Sequence, residues 1–248
     1  MNGARTPTKK ITLMNALIAE FTGTALLILL GGGVVANVVL SQSKGQHSGW
    51  LVITTGWGIA VFLGVYSCVK LGGPGHLNPA VTIAMAAAGL FPAADIAGFI
   101  LAQLGGAITG AVVVWITYLN HFEVTPDPDL KRAVFCTAPS IRNPFRNCIT
   151  EFIATFALVF GALCTSPAEI KLGSLDALPV ALLVLGIGLG LGGPTGYAIN
   201  PARDLGPRIA HAILPIAGKG GSDWSYSWVP VVAPIAGGVA AALLFKLI

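Results

Sequence analysis

The residues in this chain that could do chemistry are concentrated in two short stretches, Gly75-His76-Leu77-Asn78-Pro79-Ala80 and Gly196-Tyr197-Ala198-Ile199-Asn200-Pro201-Ala202-Arg203-Asp204. In both, an asparagine stands directly before a proline. Asn is a preferred N-cap, and Pro suits the first helical position because an N–H there has no intrahelical partner to lose, so each stretch predicts a helix start. The approaches, Gly72-Gly73-Pro74-Gly75 and Gly192-Gly193-Pro194-Thr195-Gly196, exclude regular helix immediately upstream. A capping asparagine spends its side-chain oxygen on backbone N–H groups and keeps an NH₂ that can donate into a lumen. Two such helices meeting by their N-termini bring together partial positive charges of roughly +0.5 each. That centre repels cations and accepts uncharged molecules carrying oxygen lone pairs.

Other groups point the same way. Ala19-Glu20-Phe21-Thr22-Gly23-Thr24 is echoed by Thr150-Glu151-Phe152-Ile153-Ala154-Thr155, so two carboxyls occupy equivalent places inside apolar runs. An unpartnered ionisable group at that depth costs at least about 2.5–3.5 kcal/mol. The equivalence predicts one shared role for Glu20 and Glu151: accepting backbone N–H bonds from the glycine-bearing loop of their own half, which turns the loop's carbonyls toward a lumen. Proton relay in a coupled transporter is the alternative, and no third acid sits at a matching place. Arg203 follows the second box where the first has Val81. A cation there opposes the helix dipole, and its five fixed donors can hold substrate oxygens and strengthen a barrier to cations. Asp204 beside it also suits plain satisfaction of the helix N-terminus.

The elements that must position these groups are membrane helices. Of the 248 residues 54% are hydrophobic and only 10% charged, with mean hydropathy +0.80, against about 25% charged in soluble domains. The net charge of +4 comes from basic residues scattered among loops, with no basic run interleaved with aromatics, so a nucleic-acid partner is excluded. Cys68, Cys136, Cys148 and Cys164 show no metal spacing; three lie in apolar runs, and Cys136, in a loop, is a candidate reactive thiol. His47, His121 and His211 have no neighbours that would make them ligands or bases, and Gly218-Lys219-Gly220 lacks phosphate-loop spacing. Neither a metal, a cofactor nor an enzyme is expected.

Six apolar runs are candidate crossings: 13–40, 50–71, 94–119, 148–165, 178–191 (short, and extended by the residues after it) and 228–248. Two segments of about ten residues, 79–88 and 201–212, are too short to cross and read as re-entrant half-helices. The predicted fold is therefore an all-α membrane protein of six transmembrane helices plus two half-helices. Three crossings per half is an odd number, so the repeat is inverted about an axis in the membrane plane. The halves are 1–120 and 148–248, joined by a loop over 121–147 that is rich in proline. Gly106, Gly110, Gly237 and Gly238 read as helix-packing sites. Arg5, Lys9 and Lys10 before the first run place both termini in the cytoplasm, although the remaining Lys and Arg, Lys171 among them, divide between the loops without bias.

The paired Asn-Pro-Ala boxes, the Glu-Phe spans and the inverted repeat resemble the aquaporin family, the major intrinsic proteins, over nearly the whole chain. The run Arg203-Asp204-Leu205-Gly206-Pro207-Arg208 after the second box is similar to the aquaglyceroporin branch, in particular its bacterial glycerol facilitators. The resemblance implies a passive channel in the cell membrane for glycerol and related small uncharged solutes, with some water, that excludes ions and protons. It also implies a homotetramer with one pore per protomer and no cofactor. Water, dihydroxyacetone, urea and protonated organic acids are the other solutes it leaves open. It places a selectivity filter on Trp57, Gly188, Tyr197 and Arg203, with Gly188 and Tyr197 standing where water-selective relatives carry His and a small residue. An interfacial anchor is the alternative reading of Trp57. On this view Trp57 and Tyr197 form a corner for the carbon edge of a polyol. Arg203 and the carbonyls of Gly75, His76, Leu77, Gly196, Tyr197, Ala198 and Ile199 replace its lost water bonds, each otherwise costing about 2–7 kcal/mol.

Overall fold

The computed structural model describes residues 12–165 and 175–248, so Arg5, Lys9, Lys10 and Lys171 lie outside the described residues. The elements are α1 (Leu13–Val39), α2 (Trp50–Lys70), α3 (Pro79–Ala87), a 3₁₀ turn at Ala93–Asp95, α4 (Ile96–Thr117), α5 (Leu119–Val124), α6 (Pro128–Ala133), α7 (Pro144–Thr165), α8 (Leu178–Leu191), α9 (Pro201–Ile213) and α10 (Val229–Leu247). Among the described residues, α1, α2, α4 with its preceding turn, α7 and α10 are long and apolar enough to cross a membrane. The sixth apolar helix, α8, has 14 residues and spans roughly 21 Å, short of a core of about 30 Å. The expected extension beyond its C-terminus does not form: residues 192–199 leave the helix and turn back.

One expected boundary shifts for a local reason. The fourth crossing begins at Pro144 rather than Cys148, because Pro144 takes the first turn and the Asn143 Oδ1 accepts the Arg146 N–H at 3.1 Å. Arg146 and Asn147 hide that turn from a reading by hydropathy. The connector also carries two short helices, α5 and α6, the second capped by the Asp127 carboxylate on the Asp129 N–H at 2.8 Å.

Packing repeats between the halves. α1 lies along α4, and α7 along α10. A methyl carbon built on Gly106 would stand 2.2 Å from the Phe21 carbonyl oxygen, and one on Gly237 2.3 Å from that of Phe152. The two glycines therefore do the same work in the two halves, letting backbones approach closer than any side chain permits. Each half-helix packs across the repeat, α3 on α10 and α9 on α4. Exposed apolar side chains such as Ile59, Leu101 and Leu182 cover the outside, as a lipid-facing surface requires.

Gly106→Val and Gly237→Val force their helix pairs apart. Overpacking of this kind costs about 1–3 kcal/mol or more, so both variants should show a lower thermal midpoint in detergent by size-exclusion melting. Gly33→Ala, whose added carbon meets nothing within 4 Å, should melt no lower than the wild type.

Candidate functional site

Both asparagines cap as their spacing predicts. The Asn78 Oδ1 accepts the Ala80 N–H at 2.9 Å, and the Asn200 Oδ1 accepts those of Ala202 and Arg203 at 3.0 and 3.2 Å. Pro79 and Pro201 take the first position of each half-helix. The amide nitrogens are not wholly free, however. Asn78 Nδ2 donates to the Ile199 carbonyl and Asn200 Nδ2 to the Leu77 carbonyl, each at 2.8 Å. One proton of each NH₂ thus ties its helix end to the opposite loop, and one remains for the lumen. The Leu77 and Ile199 carbonyls correspondingly spend a lone pair on the junction.

The loops leading to the caps are held in left-handed backbone, with φ of +77° at Gly75, +51° at Leu77, +79° at Gly196, +35° at Tyr197 and +43° at Ile199. For the non-glycine residues this costs on the order of 1–3 kcal/mol each. The glutamates offset it. Glu20 accepts the His76 and Leu77 N–H groups at 2.8 and 2.7 Å, and Glu151 accepts those of Ala198 and Ile199, both at 2.9 Å. Both carboxylates are buried, and each makes the bonds its sequence position predicts. Gln103, which carries no recognisable motif, joins the first network: its Nε2 donates to Glu20 at 2.8 Å and to the Thr82 hydroxyl at 3.0 Å. The Thr82 hydroxyl in turn donates to the Asn78 carbonyl and meets His76 Nδ1 at 3.1 Å.

A cavity of about 1040 Å³ runs past these loops. Its lining includes Trp57, Tyr197 and Arg203, the two asparagines Asn78 and Asn200, and Tyr66, Lys70 and Thr165. Leu27, Val61, Val159 and Val184 add apolar side chains to the lining, beside residues 74–78 and 197–200 of the two loops. Trp57 is buried at 4% exposure, which removes the anchor reading. Its ring is nested against Gly31 of α1, where an added carbon would come within 2.3 Å. The Arg203 guanidinium lies over that ring at 4.1 Å from the centroid, a cation–π contact, so Arg203 stacks on Trp57 rather than facing it. Gly188 and Gly196 are not on the cavity wall. A Cβ on Gly188 would stand 2.9 Å from Tyr197 Cζ, so this glycine makes room for the tyrosine ring.

Further polar residues brace the second half-helix from the side of the connector. Asp204 does more than complement a helix dipole: its Oδ2 accepts the Thr137 N–H and hydroxyl at 2.8 and 2.7 Å, and its Oδ1 pairs with buried Arg208 at 2.7 Å. Arg208 also donates to the carbonyls of Thr137, Ser222 and Asp223. The signal for this pair was an acid and a base four residues apart on one helix. Lysines cap the far ends of the half-helices, Lys219 on the carbonyls of His211, Ala212 and Leu214 and Lys246 on that of Ala87, where the dipole favours cations. Cys136 is not a reactive thiol. It is buried, and burial pushes its pKa up to about 12. No cluster of three or more metal-ligating side chains occurs among the described residues.

The sequence profile described as "Major intrinsic protein" matches residues 7–245. A probable glycerol uptake facilitator protein of Thermotoga maritima is 56% identical over 94% of this chain and 99% of its own. Glycerol uptake facilitator protein 3 of Lactiplantibacillus plantarum is 53% identical over 94% and 96%. Among solved structures, the aquaglyceroporin from Plasmodium falciparum superposes with a TM-score of 0.84 at 32% identity, covering 95% of this chain and 96% of that one. Half-helices joined head to head, glutamate-braced loops and a cavity running past both place the chain in the major intrinsic protein family, to which it belongs.

Proposed function

We propose that the chain is a passive channel for glycerol and similar small uncharged solutes, admitting some water and excluding ions and protons. The observation that carries this is the mixed lining of the cavity: apolar side chains together with loop residues and asparagine donors. A polyol has the same mixed character. Its carbon edge faces the valines and leucines, and its hydroxyls exchange bonds with carbonyls and amides rather than losing about 2–7 kcal/mol each. Names of relatives at 56% and 53% identity support glycerol as the solute. Trp57, Tyr197 and Arg203 form the selective constriction, with Gly188 setting the room available to Tyr197. Residues 1–120 and 148–248 are the two inverted halves and 121–147 the connector. The protein resides in the cell membrane with both termini cytoplasmic, and four copies assemble with one pore each.

Stopped-flow light scattering on proteoliposomes tests the proposal: glycerol flux should exceed that of empty vesicles, run in both directions and never accumulate solute against its gradient. Uphill accumulation driven by a proton or sodium gradient would establish a coupled transporter instead. Gly188→His should push Tyr197 into the opening and lower glycerol flux about tenfold, the equivalent of ~1.4 kcal/mol, with a smaller effect on water. Equal losses of both would remove Gly188 from the filter. Arg203→Ala deletes the cation on the wall near the asparagines and should raise proton leak in a pH-dye assay, while an unchanged leak would separate Arg203 from ion exclusion. Glu20→Gln replaces a carboxylate that accepts two backbone N–H bonds; a charge-assisted bond contributes about 1.5–3 kcal/mol. The variant should lose flux and thermal stability together.

A further inference from the structure

We propose that Trp50, the first residue of α2, is the positioning residue that holds Tyr197 at the constriction by clamping it against the end of α8. Its indole Nε1 donates to the Gly188 carbonyl at 3.0 Å. Its ring meets that of Tyr197 edge-on, with centroids 5.8 Å apart and an interplanar angle of 80°. Gly188 is among the last four residues of α8, whose carbonyls have no intrahelical partner. The Trp50 bond therefore meets a need of that helix end and fixes its distance from α2.

Tyr197 depends on this clamp because packing, and no hydrogen bond of its own side chain among the described residues, restrains its ring. Its hydroxyl is buried without a hydrogen-bond partner among the described residues, and its backbone sits at φ +35°. The ring is kept in place by shape. Gly188 and Gly192, one turn apart, form a slot: an added carbon would lie 2.9 Å from Tyr197 Cζ at Gly188 and 2.4 Å from Tyr197 Cδ1 at Gly192. At Gly192 that carbon would also stand 2.8 Å from Trp50 Cζ2, so the tryptophan closes the slot from outside. Trp50 is not on the cavity wall, and it acts on solutes only through Tyr197. The inference rests on the reading of Trp57, Tyr197 and Arg203 as the selective constriction.

At 41% exposure, Trp50 also fits an interfacial anchor, and the test must separate the two roles. Trp50→Phe keeps an aromatic ring at the interface and removes only the N–H donor. In proteoliposomes the flux of the five-carbon polyol xylitol relative to glycerol should rise about fivefold, the rate equivalent of the ~1 kcal/mol of one hydrogen bond. Water flux per channel should change little. Gly192→Ala presses a methyl against the rings of both Tyr197 and Trp50 and should lower glycerol flux relative to water; if Trp50→Phe does not insert, Trp50→Tyr, which also keeps an interfacial ring without the indole N–H, gives the deciding xylitol-to-glycerol ratio. Wild-type flux ratios in every variant that inserts would overturn the positioning role while leaving the channel reading intact. A wild-type protein that passes no glycerol would overturn both.

Discussion

The arrangement depends on a contact that is unfavourable by itself, two helix N-termini held face to face away from bulk water. Their partial positive charges repel, and nothing in helix geometry alone would keep them together. The restraint is reciprocal: Asn78 bonds the loop that precedes α9, and Asn200 bonds the loop that precedes α3. Each asparagine thus acts twice, its oxygen satisfying its own helix and its nitrogen holding the opposite half. Lysine caps at the two outer ends stabilise the same dipoles from the other side. The positive centre is therefore built into the fold, and a cation passing it would lose hydration where the wall offers asparagine donors instead of a counter-charge.

The loops bend to keep that contact, and their strain has a visible counterweight. Leu77, Tyr197 and Ile199 occupy left-handed backbone, a conformation that is an outlier for a β-branched residue such as Ile199. Each glutamate supplies two charge-assisted bonds to the same loop, individually about as large as the strain at one residue. By taking the N–H groups, the carboxylates leave the carbonyls as the polar face presented to a solute. Burying a charge is tolerable here because each carboxylate is bonded on both oxygens.

Much of this could be read from residue types. The caps, the half-helices and the glutamate braces follow from local chemistry that repeats, and a repeat doubles the signal. What escaped is what depends on distance between segments. The second proton of each asparagine amide had a partner 121 or 123 residues away, which no spacing announces. The family resemblance puts Arg203 and Trp57 together as expected filter residues, but the cation–π contact between them is not legible in the sequence. Gly188 was legible as small, yet its role of admitting the Tyr197 ring appears only once α8 and the second loop lie side by side. The start of α7 was missed because Arg146 and Asn147 interrupt the apolar run that a hydropathy reading tracks.

The same backbone serves both ends of the cavity, so discrimination must come from side chains that break the repeat. Thr82 and Asp204 stand four residues after their asparagines in equivalent positions. Thr82 is tied to His76 and Gln103, residues of its own loop and of a spanning helix. Asp204 is tied to Thr137 of the connector and, through Arg208, to the carbonyls of Ser222 and Asp223. One end of the lumen is thus braced by the helical framework and the other by the loops that cover it. Arg203 stands at the loop-braced end, where its counterpart is Val81. An exacting constriction needs side chains fixed from several directions, and at the connector end Thr137, Ser222 and Asp223 supply such contacts to Asp204 and Arg208. The connector thereby braces the start of α9, next to Arg203, through the bonds of Thr137 with Asp204 and Arg208.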